Sequence, residues 1–169
     1  MKTLYMIGGP MGVGKTTVCQ QLKRDLLNSV FLDGDWCWDA DPFQVTEETK
    51  RMVVDNIVDL LNRFLRCSAY ENVIFCWVMH QQAIIDGILG RLDTRHCTVK
   101  CFSLVCSEAV LRARLAADIQ QGRRTPDVIG RSLARLPLYD ALRTVRLDVS
   151  ALSIEETARR IIHLPGHTP

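Results

Sequence analysis

Eight consecutive residues, Gly9-Pro10-Met11-Gly12-Val13-Gly14-Lys15-Thr16, satisfy the spacing G-x-x-x-x-G-K-[ST], with a second threonine, Thr17, directly after. Glycines at this spacing let backbone N–H groups turn inward around phosphate oxygens, and a helix starting there adds its partial positive end. Lys15 is placed to reach β- and γ-phosphates, and the Thr16 hydroxyl to ligate Mg2+. The pattern carries this meaning only between a strand and a helix. The apolar run Thr3–Ile7 before it reads as a buried strand, and Val18, Leu22 and Leu26 after it keep a helical rhythm. The chemistry expected is binding of ATP with Mg2+.

A second group follows the short apolar run Val30–Leu32: Asp33-Gly34-Asp35-Trp36-Cys37-Trp38-Asp39-Ala40-Asp41-Pro42. Phosphoryl transfer to a hydroxyl needs a metal-side carboxylate and another that orients the acceptor and takes its proton. Asp33 and Asp35 share one side if the backbone stays extended, so one serves the metal and the other the acceptor. Asp39 and Asp41 read as a solvated turn. Trp36 and Trp38 fit an acceptor platform or a cover over the core edge equally well. A third group is basic: Arg112 and Arg114 on a helix from Ser107 to about Gln121, then Gln121-Gly122-Arg123-Arg124-Thr125-Pro126, then Arg131 and Arg135. Arginines on a lid at about 120–128 would neutralise the transferring group and exclude water, with Arg123 a catalytic candidate. The alternative is a solvated basic helix paired with Asp118 and Asp127.

These groups need a scaffold. Strands are expected at Thr3–Ile7, Val30–Leu32, Asn72–Met79, Val99–Val105 and Thr144–Val149. Helices are expected at about Thr46–Arg66 (Thr46 the cap), Gln82–Leu92, Ser107–Gln121, Asp127–Leu136 (Asp127 the cap) and from Ser153, where Ser153-x-x-Glu156 is a capping box. The alternation predicts one domain over 1–169: a three-layer α/β/α P-loop NTPase fold with a five-stranded parallel sheet. In such sheets ligands sit beyond the C-terminal strand ends, so 8–15, 33–41, 77–81 and 106–108 should share a rim. The His163–Pro169 tail is expected to fray.

With 47% hydrophobic and 24% charged residues and a net charge of +2, the 169-residue chain gives no reason to expect a nucleic-acid or membrane partner. The first apolar run stops at Gly8-Gly9-Pro10, too short for a secretion signal, so a cytoplasmic protein is expected. Seven cysteines without a C-x-x-C pair read as small buried hydrophobes rather than a zinc site.

With these pieces in place the whole chain resembles the small P-loop kinases related to gluconate kinase, shikimate kinase, adenylyl-sulfate kinase and chloramphenicol phosphotransferase. The resemblance rests on the phosphate loop, on Phe31-Leu32-Asp33-Gly34-Asp35, on the arginine-rich lid, and on Leu147-Asp148-Val149-Ser150 with Ser153-Ile154-Glu155-Glu156. It implies that Asp33 is the metal-side carboxylate, Asp35 the candidate base, and Arg112 or Arg114 the residue packing on adenine. The loop at Val149-Ser150 would meet the base edge. Trp77-Val78-Met79-His80 stands where shikimate kinases have a Gly-rich turn, and the acidic acceptor segment favours a neutral or cationic acceptor. His80 reads either as an acceptor contact or as a cap for the next helix. The function expected is transfer of the ATP γ-phosphoryl group to a small-molecule hydroxyl, by a monomer or homodimer. The alternatives are a nucleoside or nucleoside monophosphate kinase and a non-catalytic ATP-binding switch. The third strand lacks a terminal Asp and the chain lacks N/T-K-x-D, which weighs against motor ATPase and GTPase readings.

Overall fold

In the computed structural model, which describes residues 1–166, five parallel strands run in the order β2-β3-β1-β4-β5. They are β1 (Lys2–Gly8), β2 (Ser29–Asp33), β3 (Asn72–Cys76), β4 (Cys97–Val105) and β5 (Val145–Asp148). The helices are α1 (Lys15–Asp25), α2 (Glu47–Arg66), α3 (Gln82–Leu89), α4 (Glu108–Gln120), α5 (Val128–Arg135) and α6 (Ile154–His163). Two 3-10 segments, Gly34–Cys37 and Leu136–Ala141, complete the set.

The inner strands β1, β3 and β4 are largely buried on both faces, hence their near-continuous apolar composition, while the edge strand β5 exposes Arg146 and Asp148. On one face Tyr5, Ile7, Ile74, Phe102 and Leu104 pack with Val18 and Leu22 of α1, Leu111 and Leu115 of α4, and Ile161 of α6. On the other, Leu4, Met6, Val73 and Phe75 pack with Ile57 and Leu61 of α2 and Ile85 and Ile88 of α3. This is the expected three-layer sandwich. No helix among the described residues is long and apolar enough to cross a membrane.

Local chemistry explains most boundaries. Thr46 and Ser153 cap α2 and α6, each accepting from the N3 backbone N–H while the N3 side chain, Thr49 or Glu156, reaches back. Ser107 caps α4 through the Val110 N–H. Asp127, expected to cap α5, does not; its carboxylate accepts from the Thr125 hydroxyl and pairs with Arg131 at 2.9 Å. The apolar run 72–79 was expected to be strand throughout, yet β3 stops at Cys76 and the chain turns away, with Met79 at φ +39°. Met79 is buried there, so the run is apolar because it is covered rather than because it is extended. The expected frayed tail is also revised. Lys100 Nζ donates to the Ile162 and Leu164 carbonyls at 3.1 and 3.2 Å, pinning the end of α6. Residues 167–169 lie outside the described residues.

All seven cysteines are free, and Cys19, Cys76, Cys101 and Cys106 are buried as expected. Cys67 is exposed. No cluster of three or more His, Cys, Asp or Glu suited to a metal occurs among the described residues.

Candidate functional site

The phosphate loop leaves the central strand β1 and runs into α1, which begins at Lys15. Gly12 sits at φ +84°, and a Cβ there would lie 2.5 Å from Leu115 of α4, so both the backbone and the packing require glycine. Ser132 of α5, fully buried, donates its hydroxyl to the Met11 carbonyl at 2.6 Å, which seats the helix after the lid on the loop. Lys15 folds back, its Nζ donating to the Gly9 and Pro10 carbonyls at 2.8 and 3.0 Å. Burial pushes the Lys15 pKa down; Cys76, Asp35 and Asp33 oppose the shift and nearby Arg124 adds to it.

Thr16 Oγ1 donates to Asp33 Oδ2 at 2.7 Å. Asp33 is only 5% exposed and has no ion pair among the described residues. A buried carboxylate next to a hydroxyl, with no side-chain cation bonded to it, is the hard-oxygen donor set that suits Mg2+, which needs only one or two protein ligands besides water and phosphate. Residues Thr16 and Asp33 therefore fit the ion.

The expectation that Asp33 and Asp35 share a side through an extended backbone is overturned. Asp33 Oδ1 accepts the Asp35 N–H at 3.0 Å and so caps the 3-10 turn Gly34–Cys37. The turn separates the two carboxylates: Asp33 goes to Thr16, while Asp35 Oδ1 accepts the Trp77 indole N–H at 3.1 Å. Both remain close enough to Lys15 to influence its charge. Asp39 and Asp41 are exposed, in keeping with a solvated turn. Trp36 is 54% exposed and stacks edge-on with Phe31 at 5.1 Å; Trp38 packs edge-on with Phe43 and Trp77.

Arg112 and Arg114 part company because residues two apart on a helix face different ways. Arg112 is exposed and pairs with Glu108 at 2.8 Å. Arg114 turns inward and donates to the Val13 carbonyl at 2.9 Å and the Val149 carbonyl at 3.4 Å, joining the phosphate loop to the loop after β5. Ser150 in that loop donates its hydroxyl to Asp148 at 2.6 Å and accepts the Ser107 N–H at 2.8 Å. Arg123 and Arg124 both pair with Asp118, at 2.8 and 3.1 Å. With Met11, Gly122, Thr125, Val128 and Arg131 they line a pocket of about 370 Å3 beside the phosphate loop.

The AAA domain family matches residues 6–131, well over half of the chain and spanning the loop, the acidic turn and the lid. The chain belongs to this family. No curated protein matches it. Among solved structures, the tunicamycin resistance protein of Deinococcus radiodurans is 21% identical, with a TM-score of 0.72 and full coverage of both chains. A gluconokinase from Sinorhizobium meliloti 1021 is 20% identical at a TM-score of 0.68, covering 94% of this chain and 89% of its own. A sugar kinase from Janibacter sp. HTCC2649 is 14% identical at 0.69, covering 96% and 93%. At these identities the likeness is one of fold, and it is the fold that the sequence resemblance implied.

Two residues of this AAA-domain chain, Ser132 and Tyr139, lie at the site without having been singled out by sequence, and Trp77, expected on the rim, makes a contact there that the sequence did not show. Trp77 looked like the end of an apolar strand; only its indole N–H distinguishes it. Ser132 carried no signal at all. Tyr139, nearly fully buried, donates its hydroxyl to the Val78 carbonyl at 2.5 Å and steadies the loop after β3. In that loop His80 does not cap α3, whose N-cap is Gln81. His80 Nδ1 is buried without a hydrogen-bond partner among the described residues. Burial, then the charge of Arg135, lowers its pKa.

Proposed function

We propose that the protein is an ATP-dependent phosphotransferase that moves the γ-phosphoryl group to a hydroxyl of a small molecule. The observation that carries this reading is the division of labour between two carboxylates at one phosphate loop. Asp33 is committed to the Thr16 hydroxyl, and Asp35 faces the same lysine while engaged elsewhere. A binding module needs only the first carboxylate; the second is placed to take a proton from an attacking oxygen, as transfer to an acceptor requires.

In this reading the loop N–H groups and the Lys15 ammonium hold the phosphates, Lys15 exchanging its two carbonyl partners for phosphate oxygens. Thr16 and Asp33 would hold Mg2+, which supplies charge neutralisation on the β- and γ-phosphates when bound. Asp35 orients the acceptor and takes its proton. The acceptor oxygen bonds to the γ-phosphorus as the bond to the bridging oxygen breaks, and ADP departs with that electron pair. Arg123 and Arg124 leave their shared Asp118 for the phosphoryl oxygens. Arg114, bridging the Val13 and Val149 carbonyls, and the Ser150 loop bound the base side.

The acidic turn favours a neutral or cationic acceptor, whereas Arg135, without an ion pair among the described residues, and the unpartnered His80 nitrogen lie near the same rim and favour an anionic one. A nucleoside or nucleoside monophosphate acceptor is therefore tested beside sugars, sugar acids and aminated compounds. Nucleic acid and membrane have no part in the proposal; the protein acts as a cytoplasmic monomer or homodimer.

The test is transfer of label from Mg·[γ-32P]ATP. Label appearing in a hydroxyl compound supports the reading. Tight ATP binding with label released only as inorganic phosphate, or not at all, contradicts it and favours a hydrolase or switch.

A further inference from the structure

Trp77 lies one residue past β3, where its backbone N–H still bonds to the Ile7 carbonyl at 3.2 Å. The strand alternation therefore continues through it, and its ring joins the α2/α3 side of the sheet, half-buried. Its indole crosses the acidic turn at Gly34. A Cβ at position 34 would stand 2.6 Å from Trp77 Cγ, so the glycine between the two aspartates is what lets the ring lie there. Trp38 also packs edge-on against the ring, with centroids 6.1 Å apart. The indole is held by both contacts, and its N–H ends 3.1 Å from Asp35 Oδ1.

An indole N–H donates and never accepts, and it does not give up its proton in the working range of an enzyme. A carboxylate oxygen that accepts from it is fixed without being neutralised. Asp35 is then constrained twice, by its own N–H on Asp33 and by the indole on Oδ1, while Oδ2 has no partner among the described residues.

We propose that Trp77 is a positioning residue for Asp35: its indole N–H holds Oδ1 and turns Oδ2 toward the acceptor hydroxyl whose proton it receives. The proposal rests on reading Asp35 as the proton-taking carboxylate. It explains why an aromatic residue with a donor, rather than a plain apolar one, follows directly on β3.

The chain has three tryptophans, so three indole N–H resonances report separately in 15N-labelled protein, and Trp77→Phe assigns the one of interest. At one fixed pH that resonance should move in Asp35→Asn, because the substitution replaces the charged acceptor that the indole N–H meets. A resonance indifferent to Asp35→Asn overturns the proposal. The kinetic arm follows ADP release from Mg·ATP with the best acceptor from a panel of sugars, nucleosides and aminoglycosides. Trp77→Phe keeps the ring and loses the donor, and should lower kcat roughly ten- to a hundred-fold with KM for ATP unchanged. In the Asp35→Asn background it should cost nothing further. An equal loss in both backgrounds means the ring is merely structural and overturns the proposal while leaving Asp35 its role. Wild-type kcat in Asp35→Asn alone overturns both.

Discussion

The proposed function gives Lys15 the phosphates to hold, and its environment makes two predictions. Among the described residues its ammonium bonds only loop carbonyls, so Lys15→Ala should keep the fold while turnover drops by roughly two to three orders of magnitude. Steady-state kinetics with a melting curve check both halves; wild-type turnover would remove Lys15 from the chemistry. The second prediction concerns pH. Burial lowers the Lys15 pKa below its ordinary 10.5. Between the lowered value and 10.5 the unfolded chain holds a proton that the folded free chain has lost, so stability of the free protein rises with pH there. Nucleotide phosphates favour the charged form, so in that window ATP binding takes up a proton and weakens as pH rises. Calorimetry of ATP binding in two buffers of different ionisation enthalpy should show the uptake in wild type and none in Lys15→Ala. Asp35→Asn separates the other role: kcat should fall far more than ATP affinity. A matched loss of ATP binding would move Asp35 to the metal.

At the scale of elements, the sequence made the layout legible wherever one local signal governs. The phosphate loop, the Thr46, Ser107 and Ser153 caps, and the apolar strands are of this kind. It failed where two signals compete. The run 72–79 is apolar for burial on both sides of a strand end, so periodicity could not mark the turn at Cys76. Asp33 and Asp35 have strand spacing, yet the Asp33 carboxylate captures the Asp35 N–H and winds the chain into a 3-10 turn. Trp77 was legible as a rim residue, but its bond to Asp35, like that of Ser132 to Met11, was not, because both depend on long-range approach. The acidic turn and the lid each carry a prediction. Gly34→Ala forces a Cβ into the Trp77 ring and should destabilise the protein by about 1–3 kcal/mol, visible as a lower melting temperature and altered tryptophan fluorescence. In the lid, Arg124 is less exposed than Arg123, 35% against 60%, and is near enough to Lys15 to act on its charge. Arg124→Ala should therefore reduce kcat more than Arg123→Ala, by roughly a hundredfold or greater against wild type. The reverse order would assign the finger to Arg123.

The whole molecule is organised by its strand order. With β1 at the centre, the phosphate loop emerges at mid-sheet; β2 and β3 carry the acidic turn and Trp77 to one side, and β4 and β5 carry helix α4 with Arg114, and the Ser150 loop, to the other. In the proposed reading the phosphates then lie between the acceptor side and the base side, as a transfer between two bound molecules requires. Nucleotide bound across this crevice ties both halves together. At a hundredfold excess over Kd it should add about 2.7 kcal/mol, raising the melting temperature by roughly 5–10 °C in wild type and far less in Lys15→Ala. The most direct test of the central claim is ADP release from Mg·ATP across sugars, sugar acids, nucleosides, nucleoside monophosphates, aminoglycosides and phenicols, with Lys15→Ala alongside. A phosphotransferase gives release stimulated by one class of hydroxyl compound and lost in the variant. Tight ATP binding with release that no acceptor stimulates would contradict it.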